Sequence, residues 1–278
     1  MTDIQIKEDV EKKFKTLEEL TLMDDYMFAA VMRDKINIKP LLEIILQVKI
    51  VDLEFVEPQK TEKEGYQSHG IRLDLYVKDD KGRIFNVEVQ TSSRRHLPKR
   101  MRYYQSVIDI NILAPGVDYS SLRISFVIFI CNYDPFGTGR YIYTFENRCI
   151  EDTDLVLGDE TRKVIVNTKG TVGEISDELR ELIAYLDDGK ATGTYTRQLE
   201  DAVEVIKSSE ERRHEYMIMM VHDMEVREEG RAEGRIIGII ETMREDGKDD
   251  QTIIARLRSK FNFTQDEAER YVFTAADV

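Results

Sequence analysis

The sequence predicts an α/β protein: a strand-rich middle flanked by helices, followed by an α-helical C-terminal region. Three observations carry this. The first 48 residues place apolar side chains at helical spacing. Residues 50–131 hold four short runs rich in β-branched and aromatic residues. From about Glu174 to the end the spacing is helical again. The length of 278 residues suits one large domain, or a medium domain with a helical appendage. We expect the main domain over 1–190 and a helical region, suited to oligomerisation or partner contact, over 191–278.

The elements follow in order. Phe28, Val31 and Met32 recur at helical spacing, as do Leu41, Leu42, Ile45 and Leu46, which predicts two helices. The runs Ile50–Val56, Ile71–Lys78, Ile84–Gln90 and Leu122–Cys131 predict strands. Between the third and fourth lies a helix opening at Pro98, a good first-turn residue. Short strands are expected at Tyr141–Phe145 and Val164–Asn167. In the tail, Glu229-Gly230-Arg231 is echoed by Glu233-Gly234-Arg235, and Gly230, Gly234 and Gly238 are spaced four apart. Each costs a helix about 1 kcal/mol relative to alanine. Close helix–helix approach could offset that, and a solvated linker helix is the other reading. Gln251–Ala275 reads as two short helices around Asn262-Phe263-Thr264. Asp266, Glu267 and Glu269 open the second, where a DNA-reading helix would want donors.

Composition narrows the function. Apolar residues make up 41%, enough for a core, and charged residues 34%, which implies much solvated helix surface. No apolar stretch reaches 18 residues, so a membrane span is not expected. Met1–Lys15 is charged throughout, without a signal-peptide core. Two cysteines, Cys131 and Cys149, are too few for a disulfide framework and point to the cytoplasm. The net charge of −14 argues against a protein that coats nucleic acid non-specifically. Half of it falls in residues 191–278, which hold 13 basic and 20 acidic residues.

The middle strands carry the chemistry. In Ile71–Val77, Arg72, Asp74 and Tyr76 share one face. In Ile84–Gln90, Ile84, Asn86, Glu88 and Gln90 share one face. The link Asp79-Asp80-Lys81-Gly82-Arg83 reads as a hairpin. A three-residue loop closed by a left-handed Gly82 pairs Asp79 with Arg83, and hence Asp74 with Glu88. A two-residue loop would pair Asp74 with Val87 and separate the carboxylates; we expect the three-residue loop. Facing carboxylates repel unless a cation sits between them. A hard divalent cation such as Mg²⁺ relieves this, and can activate water against a phosphodiester. Gln90 on the same face can orient a water or a phosphate oxygen. The same pattern also suits the solvent face of an antiparallel sheet.

Residues 91–108 hold Arg94, Arg95, Lys99, Arg100 and Arg102 and no acidic residue. On a helix, Leu97, Met101, Tyr104 and Ile108 form an apolar stripe, with Arg95, Lys99, Arg102 and Ser106 opposite. Phosphate attraction is the natural use of such a patch; a solubilising face is the alternative. Elsewhere the signals are weak. The four histidines are scattered, and no CxxC accompanies the two cysteines, which disfavours zinc. Gly137-Thr138-Gly139 lacks the lysine and following helix of a P-loop, so no nucleotide cofactor is expected.

Asp74, followed by Glu88-Val89-Gln90 on the next strand, resembles the PD-(D/E)XK nuclease motif in its D…ExQ form. More closely, the chain resembles the recombination-promoting nuclease (Rpn) family, also described as PD-(D/E)XK nuclease family transposase, over about residues 20–235. The strings that carry the likeness are 23–28 (Met-Asp-Asp-Tyr-Met-Phe), 71–77, 85–90, 97–105, 133–137 (Tyr-Asp-Pro-Phe-Gly) and 143–148. The resemblance implies a restriction-endonuclease-like mixed β-sheet core flanked by helices, over 1–190. It implies metal-dependent cleavage of DNA phosphodiesters. Asp74 and Glu88 would be metal ligands, with the backbone carbonyl of Val89 a third. Gln90 would sit where related nucleases often carry lysine. Asp25, before Asp24, is the candidate for an additional acid from the early helix.

The expectation is thus a cytoplasmic, Mg²⁺-dependent DNA endonuclease, with Mn²⁺ or Ca²⁺ as alternative metals. Asp74, Glu88 and Gln90 form its catalytic set, and Arg94, Arg95, Lys99, Arg100 and Arg102 contact DNA. It would act as a homodimer, in recombination, mobile-element upkeep or phage defence. The alternative is a catalytically weak or inactive nuclease-derived DNA-binding or assembly protein. A negative field around a local cationic patch predicts a weak grip on DNA that depends on metal and low salt.

Overall fold

The computed structural model describes residues 14–56, 75–91, 96–113 and 115–274. By contacts the chain forms two compact units, Thr16–Arg212 and Met1–Lys15 with Arg213–Val278.

The first unit is built on a mixed six-stranded sheet. Its strands are β1 (Leu53–Phe55), β2 (Leu75–Asp79), β3 (Ile84–Gln90), β4 (Ser125–Cys131), β5 (Ile142–Phe145) and β6 (Thr161–Asn167), in the order β1-β2-β3-β4-β6-β5. β1, β2 and β3 run antiparallel, β4 is parallel to both β3 and β6, and β5 returns antiparallel on the edge. Five helices belong here among the described residues: α1 (Asp25–Met32), α2 (Lys35–Leu46), α3 (Leu97–Ile112), α4 (Asp177–Asp188) and α5 (Thr194–Ser208). The α/β architecture, with a mixed sheet and C-terminal helices, is therefore the one expected.

The β2–β3 hairpin has the three-residue loop. Asp79 N–H donates to Arg83 O at 3.0 Å, and Gly82 N–H to Asp79 O at 3.0 Å. Gly82 sits at φ 79°, in the left-handed region that glycine occupies without steric cost. The buried Asp79 carboxylate locks the turn by accepting from the N–H of Lys81 (3.0 Å) and Arg83 (2.8 Å) and from Arg83 Nε (2.5 Å). Beyond the turn, Lys78 pairs with Ile84, Tyr76 with Asn86 and Leu75 with Val87.

Every residue of β3 is buried. It lies between β2 and β4 and is covered on both faces. Ile84 shares a core with Val127, Phe129 and Cys131 of β4 and with Leu97, Met101, Tyr104 and Ile108 of α3. Phe85, Val87 and Val89 alternate onto the other face, where α1 lies against β3. Pro98 sits in the first turn of α3, where its missing N–H costs nothing. Its apolar stripe is the one the spacing predicts, extended by the buried Gln105. α5 packs against α1, α2 and α4, so the first unit runs past residue 190 to Arg212.

The string at 133–137 makes a tight turn held by one carboxylate. Asp134 accepts from Phe136 N (3.0 Å), Gly139 N (2.6 Å) and Tyr143 Oη (2.7 Å).

The second unit is helical. α6 (Glu210–Glu245) contains the boundary, and α7 (Asp250–Phe261) and α8 (Gln265–Thr274) follow. Ile236 and Ile240 pack with Ile253, Ile254, Leu257, Ala268 and Val272. The rings of Phe261, Phe263 and Tyr271 stack beside them. Thr264 and Glu267 cap α8 reciprocally: Thr264 N–H donates to Glu267 Oε2 (2.8 Å) and Glu267 N–H to Thr264 Oγ1 (3.3 Å). The acidic opening of this helix thus has a capping function. A Cβ built on Gly230, Gly234 or Gly238 would meet nothing within 4 Å, so no close helix approach engages them among the described residues. No helix among the described residues is long and apolar enough to cross a membrane.

Candidate active site

Strand β3 presents Asn86, Glu88 and Gln90 on the face that α3 covers. Alternation sets the face, and pairing with β2 and β4 removes the backbone from water. Glu88 is 1% exposed and Gln90 8%. A buried carboxylate is costly unless it is paired and hydrogen-bonded. Glu88 meets Arg100, whose Nη2 lies 3.3 Å from Glu88 Oε2. The other end of the guanidinium, Nη1, donates to Gln90 Oε1 at 2.5 Å. Gln90 Nε2 in turn donates to the carbonyl of Val89 at 2.6 Å. Amide, guanidinium and carboxylate therefore form one connected set.

Arg100 is held by two rings as well. Its guanidinium carbon stands 5.6 Å from the Tyr104 centroid and 5.4 Å from that of Phe129, and the rings themselves meet edge to face at 5.6 Å. Nη2 also donates to Tyr104 Oη at 3.1 Å. Burial works against the Arg100 charge, but Tyr104 and Glu88 outweigh it and hold the guanidinium pKa above its ordinary value. Tyr104 is pushed up to about 12, first by burial and then by the charge of Glu88, so it remains a neutral phenol at physiological pH.

The expected site residues are placed as follows. Glu88, Gln90 and Arg100 come together. Lys99 and Arg102 are exposed on α3. Asp25 opens α1 and is exposed, while Asp24 sits at the N-cap position just before it, its carboxylate accepting from Thr21 N at 2.8 Å. Asp74, Arg94 and Arg95 lie outside the described residues. The hairpin register, with Leu75 opposite Val87, is the one on which the facing of Asp74 and Glu88 depends. Glu88 supplies hard oxygen donors of the kind a divalent cation takes, and Arg100 is the cation that now shares them. Among the described residues, no group of three His, Cys, Asp or Glu forms a metal-binding cluster.

Three features were not read from the sequence. Tyr104, a member of the apolar stripe of α3, also contacts the charged set, and its spacing of four from Arg100 is the signal of this in the sequence. Phe129 serves as the second ring. Asn86 is fully buried, and neither amide atom finds a hydrogen-bond partner among the described residues. Cys131, on the same face, is buried and its thiol is pushed up to about 12 by that burial, so it is no nucleophile.

The first unit is thus an α/β protein, a mixed sheet with helices on both faces whose central strand carries a buried carboxylate and amide two residues apart. The chain belongs to the family described as PD-(D/E)XK nuclease family transposase, whose model matches residues 22–169, just over half its length. Comparison with curated proteins and with solved structures returns no significant match. Nucleases of this class generally use divalent metals, and DNA is the substrate the family implies.

Proposed function

We propose that the protein is a divalent-metal-dependent DNA endonuclease that hydrolyses phosphodiester bonds in the cytoplasm. The observation that carries this reading is the connected set of Glu88, Gln90 and Arg100 on the α3 face of β3, inside the matched family region. Asp74, Glu88 and the Val89 carbonyl would hold Mg²⁺ or Mn²⁺, with Asp25 the candidate fourth donor. The metal, when bound, supplies charge neutralisation and lowers the pKa of a coordinated water. Gln90 positions the groups around that centre. Lys99 and Arg102, exposed on α3, hold the DNA backbone, and Arg94 and Arg95 extend the same basic run.

The reading concerns hydrolysis and not strand transfer. Recombination, mobile-element upkeep and phage defence are the settings in which such cleavage would be used. A homodimer would bring two sites to the two strands of a duplex; light scattering that gives the mass of one chain at micromolar concentration would refute it.

Nicking of supercoiled plasmid with Mg²⁺, Mn²⁺ or Ca²⁺ tests the main reading. Wild type is expected to nick with at least one of these metals, and Glu88→Ala to lose the activity. Equal activity in both proteins would remove Glu88 from the site.

A further inference from the structure

We infer that Arg100 is a catalytic residue of this site: its guanidinium supplies fixed positive charge to the scissile phosphate, and Gln90 aims it. The inference deepens the endonuclease reading and rests on it.

In hydrolysis, a water oxygen bonds to phosphorus and the bond from phosphorus to the leaving deoxyribose oxygen breaks. The water's proton passes to solvent and the leaving oxygen takes one up. Negative charge builds on the phosphate in between, and pre-positioned cationic donors are most effective there. Gln90 is neutral and cannot provide that charge. Arg100 can, since a guanidinium stays protonated and matches phosphate oxygens with its planar fork.

The geometry places Arg100 for this role. Its side chain is 25% exposed where that of Glu88 is 2%, so Arg100 touches the buried carboxylate while part of it reaches the solvent from which DNA arrives. The rings of Tyr104 and Phe129 fix its plane. Its bond to Gln90 is 2.5 Å and its contact to Glu88 3.3 Å. Gln90 is the tighter anchor, and it holds when a cation takes a share of Glu88. Lys99 and Arg102, by contrast, are exposed on α3 and suit contacts along the DNA backbone.

The test compares wild type, Arg100→Lys, Arg100→Gln and the double variant Gln90→Lys/Arg100→Gln, which moves the cation onto the residue that now anchors it. Plasmid nicking gives kcat and KM; calorimetric titration with Mn²⁺ alone, without DNA, gives metal affinity. For Arg100→Gln we expect a loss of about 100-fold or more in kcat, a KM close to wild type, and Mn²⁺ binding as tight as wild type or tighter, because Glu88 has lost a competing cation. Arg100→Lys should retain part of the activity, and the double variant should exceed Arg100→Gln by about tenfold. Arg100→Gln with wild-type kcat overturns the inference, as does a loss carried wholly by KM, which would make Arg100 a backbone contact. If Arg100→Gln fails to fold, Arg100→Lys and the double variant decide: a double variant that folds and nicks no better than background overturns it. Wild type inactive with every metal would overturn the endonuclease reading and this inference with it, whereas an active wild type matched by Arg100→Gln overturns this inference alone.

Discussion

Leu75 on β2 stands directly opposite Val87 on β3. This pairing fixes which side chains of the hairpin reach α3, because side chains alternate with a period of two. Deleting Lys81 would shorten the loop to two residues, slip the register by one and exchange the faces of β2 relative to β3. Such a variant should melt at a lower temperature and lose any metal-dependent stabilisation. A deletion variant that keeps both would show that the register is set elsewhere than in the turn.

Metal binding should be visible as stability. A cation that binds only the folded chain stabilises it by about 2.7 kcal/mol at a hundredfold excess over Kd. Mn²⁺ should therefore raise the melting temperature of wild type, and Glu88→Ala should show no such rise. Scanning calorimetry with and without Mn²⁺ measures both, and an equal rise in the two proteins would place the metal away from Glu88.

Asn86 is buried with both amide atoms unpartnered among the described residues. Such a group carries a desolvation cost of about 1–3 kcal/mol. Asn86→Leu, close in volume, should raise stability in urea unfolding by an amount of that order. Destabilisation instead would mean that the amide is satisfied by buried water.

Asp134 gives the pH dependence a definite sign. Partial burial works against its charge, but the donations from Tyr143 Oη and from the N–H groups of Gly139, Phe136 and Gly137 outweigh it and hold its carboxyl below the usual range. A depressed folded pKa contributes stability that is present above the unfolded value, about 3.9, and is lost as pH falls through the folded value. The melting temperature of wild type should drop on acidification below about pH 4. Asp134→Asn should melt lower at neutral pH and show a smaller drop across that interval. Parallel curves for the two proteins would assign the acid sensitivity to other carboxylates.

Much of the fold was legible because the signals are local. The limits of β3, Ile84–Gln90, follow from an alternating run bounded by a glycine turn. The buried stripe of α3 follows from the spacing of Leu97, Met101, Tyr104 and Ile108. The three-residue loop follows from Gly82, the one position in that turn that needs a positive φ. Less legible was the fate of Arg100, grouped with the DNA contacts. At 100° per residue it lies about 60° from Leu97 around the helix, at the edge of the apolar stripe and not opposite it. A long side chain there can run outward to solvent or inward along its stem.

The sequence by itself determined the class of fold, the limits of β3 and the face of that strand that bears Glu88 and Gln90, because periodicity and turn chemistry act over a few residues. Only the tertiary structure decided the strand order β1-β2-β3-β4-β6-β5 and the inward turn of Arg100. Both rest on contacts between distant segments. β4 comes to lie parallel to β3 and brings Phe129 beside Glu88, and a buried carboxylate next to a neutral amide then draws in the nearest cation.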